Sequence, residues 1–237
     1  MTISFKRSSL SLLLKLLTVL LSSTGMTLAF VFAVRDGYTH PLYRLLYFTN
    51  LSNIWITLSC LSLMLLPIFR DRRKQITVSR LYTLKYIFTV SISITGIVFC
   101  CFLAPFAKGY EPWTISNVLT HVAVPILAAL DLVVDPAQPP LKKRDPLLAL
   151  IPLVLYLAAA SVLIILKVDF GRGDPFPYFF LNYHSPAGVF GFSDEPPYII
   201  GSFYWIVLFL FTVLGVAKLL ARATAKSAKD AHRASKD

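Results

Sequence analysis

Six long apolar stretches, at about 12–34, 46–69, 84–106, 115–134, 147–166 and 198–220, dominate the chain and exclude most folds open to 237 residues. A helix that crosses roughly 30 Å of hydrocarbon at ~1.5 Å per residue needs about 20 apolar residues. Each stretch reaches that length. With 56% hydrophobic residues, 15% charged residues and a mean hydropathy of +0.68, a water-soluble domain of this size could not hide its apolar surface. The expected fold is therefore all-α: a polytopic membrane protein, one integral-membrane domain over 1–237 built as a six-transmembrane-helix bundle. No internal repeat is visible, and the short connections leave no room for a separate soluble domain.

Lys and Arg set the expected orientation, because cytoplasmic segments retain them. Of 23 such residues, 18 fall in one alternate set of segments: the N-terminus, the connection around Arg70 to Lys85, Lys142 to Arg144, and the tail from Lys218 onward. The opposite set holds Arg35, Arg44, Lys108, Lys167 and Arg172. Both termini are thus expected in the cytoplasm, in the cytoplasmic membrane if the chain is bacterial. The basic start and long apolar run near the N-terminus lack a clear cleavage site, so a retained first helix is expected rather than a signal peptide.

A net charge of +11 is compatible with nucleic-acid binding, but the basic residues are shared among the ends of different helices. Anionic lipid headgroups are the expected partner instead, and the basic tail at 221–237 is read as a frayed or surface helix. Cys60, Cys100 and Cys101 offer neither metal-ligand spacing nor a disulfide framework and are read as small packing residues; no metal or cofactor is expected. Asn50-Leu51-Ser52 matches a glycosylation sequon, but inside a helix it is unusable.

Where the second stretch should be entering lipid, the chain reads "LYFTNLSN", with Thr49, Asn50, Ser52 and Asn53 in two turns. The fourth stretch opens with "NVLTH". Both helices descend from the same face, so Thr49 and His121 come to one level, ~7–10 Å below the boundary. Asn53 follows Thr49 by four residues and Asn117 precedes His121 by four, which places each pair on one helix face. Polar groups in a bilayer are costly unless they face one another or a wet cavity, so the two faces are expected to form the walls of one pocket. Pro125 cannot donate to the carbonyl of His121, which frees an acceptor beside the imidazole or simply bends the helix.

A threonine hydroxyl becomes a useful nucleophile when a neutral histidine within about 2.6–3.2 Å takes its proton. Thr49 and His121 suit that chemistry as catalytic residues, with Asn50, Asn53 or Asn117 orienting the imidazole or donating to an oxyanion. The same residues suit a structural reading, in which Thr49 bonds back to the Leu45 carbonyl and the Asn and His side chains join helices.

The motifs "YFTNLSN" and "NVLTHVAVPILAALD", with "DPFPYFFLN" in the last loop, resemble those of the androgen-induced gene / androgen-dependent TFPI-regulating protein family of multipass membrane threonine hydrolases, in a bacterial-type form. The resemblance extends to helix number and order. It implies an intramembrane lipid-ester hydrolase, with Thr49 as nucleophile and His121 as base, that cleaves fatty acyl esters such as fatty acid esters of hydroxy fatty acids. The chain departs from the family at Asn50 and Ser52, where apolar neighbours are usual, and the acyl specificity is left open by that difference.

The rest of the expected site comes from the outer connections. Arg35 and Arg44 stand where they can pair with a substrate carboxylate or phosphate, or snorkel to headgroups. The aromatic, proline-rich loop 167–197 reads as an interfacial lid from which Tyr183 and His184 reach down. His40 is the other histidine on that side. Asp131, ~15 Å below His121, is too distant for a triad and is expected to pair with Lys142 or Lys143. The alternatives are a non-catalytic lipid-binding protein and a small-solute transporter using the stripe Thr49, Asn53, Thr57 and Cys60.

Overall fold

The computed structural model describes residues 2–65, 75–107 and 111–233, and among these the architecture is all-α, with a single isolated bridge between Phe192 and Ile200. Six helices are long and apolar enough to cross a membrane. They are α1 (Thr2–Val31), α2 (Phe48–Leu65), α3 (Gln75–Val98), α4 (Ile115–Val134), α5 (Asp145–Ile165) and α6 (Ser202–Arg233). A π-helical turn at Phe99–Leu103 and a 3₁₀ turn at Ala104–Phe106 prolong α3, and a second π-helical turn, Leu119–Ala123, interrupts α4.

The apolar stretches locate these helices but not their ends. Helix α1 begins some ten residues before the expected boundary, and α6 runs on to Arg233, beyond the expected 220. Hydropathy reports the lipid-facing part, whereas backbone hydrogen bonding continues through Ala, Lys and Arg, all good helix formers. Arg7 shows what the extensions do. Its guanidinium donates to the carbonyls of Val133 and Val134 at the end of α4 and to the backbone and hydroxyl oxygens of Ser227 in α6. It binds the start of α1 to the ends of two other helices and satisfies carbonyls that a helix end leaves open. Residues 66–69 of the expected second span, the basic residues Arg70, Arg72, Arg73 and Lys74, and Lys108 and Lys236 lie outside the described residues.

The bundle is apolar outside, and its interior mixes apolar clusters with polar side chains. Leu12, Leu20, Leu155, Ile165 and Phe211 are exposed along the outer faces, while Thr18, Ser22 and Asn53 are fully enclosed. In lipid there is little to gain from burying Leu rather than exposing it, so the interior collects small and hydrogen-bonding residues that let helices approach. Helix α3 is central: it packs against α2, α4, α5 and α6, and α1 closes the bundle against α2 and α4.

Deep in the half that holds Arg7, Lys15 of α1, Lys85 of α3, Asp131 of α4 and Asp135, which caps the C-terminus of α4, form a closed quartet. Lys15 Nζ lies 3.0 Å from Asp131 and 2.8 Å from Asp135; Lys85 Nζ lies 2.7 Å and 2.9 Å from the same two carboxylates. All four are buried. Asp131 therefore does not pair with Lys142 or Lys143, as the sequence suggested. Four facing charges from three helices can cancel one another without water, whereas a loop lysine would have to draw a deeply buried carboxylate toward the surface. The cysteines also divide: Cys60 is a buried packing residue, but Cys100 and Cys101 are exposed, and all three are free thiols.

Candidate active site

The chain enters α2 by an abrupt change of direction. Pro41–Leu46 form a 3₁₀ helix capped by the His40 side chain, Tyr47 is extended, and α2 starts at Phe48. Asn50 ties this corner by donating from Nδ2 to the Arg44 carbonyl at 2.8 Å. Thr49 is thereby placed in the first turn of an 18-residue helix. The first-turn backbone N–H groups of Phe48 and Thr49 have no acceptor within that helix, and its dipole favours negative charge beside them.

His121 lies in the π-helical turn of α4. The ring stacks on Phe99, which belongs to the π-helical turn of α3, with centroids 4.1 Å apart and planes 29° apart. Its Nδ1 is 3.0 Å from the Asn117 carbonyl oxygen and 3.0 Å from Thr120 Oγ1, and Nε2 is 3.2 Å from Thr49 Oγ1. A carbonyl oxygen only accepts, so Nδ1 carries the proton and Nε2 presents a lone pair to the threonine hydroxyl. Thr49 does not turn back to Leu45. Its hydroxyl and the imidazole form a hydrogen-bonded pair held between a helix start and an aromatic ring, a geometry that a nucleophile and its base require.

The three asparagines expected around the imidazole are spent on backbone. Asn53 donates to the carbonyls of Thr49 and Thr120 at 2.9 and 3.3 Å, and its Oδ1 accepts from Ser22 at 3.1 Å, joining α1, α2 and α4. The Asn117 side chain donates to the Pro112 carbonyl at 2.9 Å. Asn117 orients the ring, but through its main-chain oxygen.

Two cavities meet at Thr49. One is polar, about 720 Å³, and reaches from Thr49, Asn50, Asn117 and His121 past Tyr38, Arg44 and Arg172 to Arg35. Arg44 pairs with Asp36 at 2.7 Å, and the guanidinium groups of Arg44 and Arg172 each lie 4.5 Å from the Tyr38 ring. Arg35 is largely exposed at the rim, 3.6 Å from Asp36. The other cavity is a narrow apolar cleft of about 30 Å³ between α2, α3, α5 and α6, lined by residues such as Phe48, Ile94, Leu153, Leu157 and Phe209. Thr49, Leu103 and Tyr178 line both.

The last connection does not contribute the residues expected of it. The Tyr183 hydroxyl is 2.6 Å from Ser161 Oγ, and the His184 backbone N–H is bound by Asn182; neither residue lines either of these two cavities. His40 is spent on capping Leu42. Tyr178 occupies the place instead, and the signal for it was the quoted stretch "DPFPYFFLN", in which it is the only tyrosine. Among the described residues no group of three His, Cys, Asp or Glu side chains is arranged to hold a metal ion. No family model, curated protein or solved structure matches the chain.

Proposed function

We propose that this chain is an intramembrane lipid-ester hydrolase with Thr49 as nucleophile and His121 as base, acting on fatty acyl esters such as fatty acid esters of hydroxy fatty acids. The observation that carries the reading is the 3.2 Å contact between Thr49 Oγ1 and the unprotonated Nε2 of His121, at the junction of a polar and an apolar cavity. An ester has the matching division: the acyl chain enters the apolar cleft, which must widen to receive it, and the polar part occupies the larger cavity. Arg44 and Arg172 there suit a carboxylate.

In the proposed reaction Thr49 Oγ attacks the ester carbonyl carbon as its proton passes to His121 Nε2. The tetrahedral intermediate collapses, the leaving alkoxide takes that proton, and an acyl-Thr49 ester remains. Water then attacks the acyl carbon with His121 again as base, releasing the fatty acid and restoring the hydroxyl. Asn117 holds the imidazole in the required tautomer through its carbonyl. The Lys and Arg distribution supports cytoplasmic termini, so the polar cavity opens toward the outer leaflet.

Treatment of the purified protein with a long-chain alkyl fluorophosphonate, followed by peptide mass analysis, tests the reading. Labelling at Thr49 that vanishes in His121→Ala is expected; no label on Thr49 in an otherwise folded protein excludes it and favours a lipid-binding role. Transport is the weaker alternative, because Ile56, Cys60, Ile92, Val124 and Ala128 pack together below the site and close the bundle.

A further inference from the structure

An acyl transfer needs a donor for the negative charge that develops on the carbonyl oxygen, and the amide side chains first considered for it are engaged elsewhere. We infer that the Tyr178 hydroxyl is that donor: a catalytic residue, supplied by the last connection, that provides the oxyanion site of the proposed hydrolase. The inference rests on the Thr49–His121 reading.

Three phenols surround Thr49, and two are committed. Tyr47 donates to the Phe170 carbonyl at 3.2 Å, and Tyr156 donates to the Leu46 carbonyl at 3.1 Å. Tyr178 instead bonds no carbonyl: its hydroxyl meets the side chain and backbone N–H of Thr49 and the Tyr156 hydroxyl, and it lines both cavities at the point where they join. Its ring is fixed for that position. It stacks on Phe180 with centroids 5.0 Å apart and planes 13° apart, and it meets Tyr47 edge-on at 5.7 Å. Phe180 is in turn buried against Phe209 of α6, at 4.8 Å. A donor held this way needs no reorganisation when charge appears, which is what makes such groups effective. Burial pushes the Tyr178 phenol up to about 12, against the opposing effect of its bonds to Thr49, so it keeps its proton at neutral pH.

When Thr49 Oγ bonds to the carbonyl carbon, the π electron pair moves to the carbonyl oxygen. Tyr178 donates a hydrogen bond to that oxyanion and retains its proton throughout, and the pair returns as the alkoxide leaves. The charge thus forms beside the tyrosine hydroxyl.

The test uses the full chain in nanodiscs with p-nitrophenyl decanoate, a decyl trifluoromethyl ketone and an unreactive decyl ether. Tyr178→Phe preserves the ring contacts, and kcat is expected to fall about a hundredfold with KM within about twofold. The ketone forms an alkoxide adduct with the nucleophile, so its affinity should fall in proportion to kcat while that of the ether stays unchanged. A Tyr178→Phe enzyme with kcat within threefold of the native value, where Thr49→Ala is inactive, overturns the inference and leaves the nucleophile–base pair standing. Equal losses of ketone and ether binding overturn it too, since they would mean a packing role. A native protein that neither turns over the ester nor forms the ketone adduct overturns the hydrolase reading, and this inference with it.

Discussion

Gly96 of α3 faces the carbonyl oxygen of His121 so closely that a Cβ placed on the glycine would lie 2.7 Å from that oxygen and 3.2 Å from the Pro125 ring. The carbonyl is the one that Pro125 leaves without its usual helical donor. Two irregularities therefore cooperate: the proline opens the turn, and the glycine lets α3 close on it and bring Phe99 onto the imidazole. Gly96→Val should push the two helices apart, and a displacement on the order of 1 Å at His121 is expected to lower kcat by about 10²-fold. Ester turnover measured beside thermal unfolding separates this from loss of fold.

On the proposed mechanism, removal of the Thr49 hydroxyl or the His121 imidazole should stop turnover without disturbing the bundle. Thr49→Ala and His121→Ala are each expected to lower kcat by at least ~10²–10⁴. Thr49→Ser, which keeps a hydroxyl at the same place, should retain measurable activity. Full activity in Thr49→Ala would disprove the nucleophile.

The two flanking asparagines should part company. Asn53→Ala leaves the carbonyls of Thr49 and Thr120 and the Ser22 hydroxyl short of a partner, at an expected cost of about 1–3 kcal/mol in stability. Asn117→Ala keeps the main-chain oxygen that holds His121, so its kcat should stay within several-fold of the native value. Denaturation in detergent and steady-state kinetics read the two effects separately.

The charge quartet predicts a large effect far from the chemistry. Lys85→Met leaves Asp131 and Asp135 short of one cation and should destabilise the protein by about 3–5 kcal/mol. Replacing Lys85 and Asp131 together with apolar residues of similar size should recover most of that loss. An unchanged unfolding midpoint in the single variant would contradict the closed network.

Acid should inactivate the proposed hydrolase reversibly. Protonation at Nε2 converts His121 from acceptor to donor toward Thr49, so kcat should decline as pH falls. On the alkaline side the proposed Tyr178 donor should persist, because burial holds its phenol up to about 12. Any loss of rate between roughly pH 8 and 10 must therefore come from another group, and a pH–rate profile of Tyr178→Phe should show the same limb there.

What the amino-acid order by itself determined is the solvent and the depth. Apolar stretches of membrane-crossing length impose six helices, and the cost of polar groups in hydrocarbon brings Thr49 and His121 to a common level and turns them inward. Both are consequences of local composition and of a rise per residue that varies little. Tertiary structure alone decided which donors were already spent: the asparagine amides on backbone carbonyls, Tyr183 on Ser161, and Asp131 on two lysines distant in sequence. It also brought Tyr178, from a stretch crowded with aromatics, beside Thr49. A hydrogen bond across a bundle depends on helix rotation, on π-helical turns and on a glycine contact. No spacing along one chain segment records these, because each is set by a partner from another.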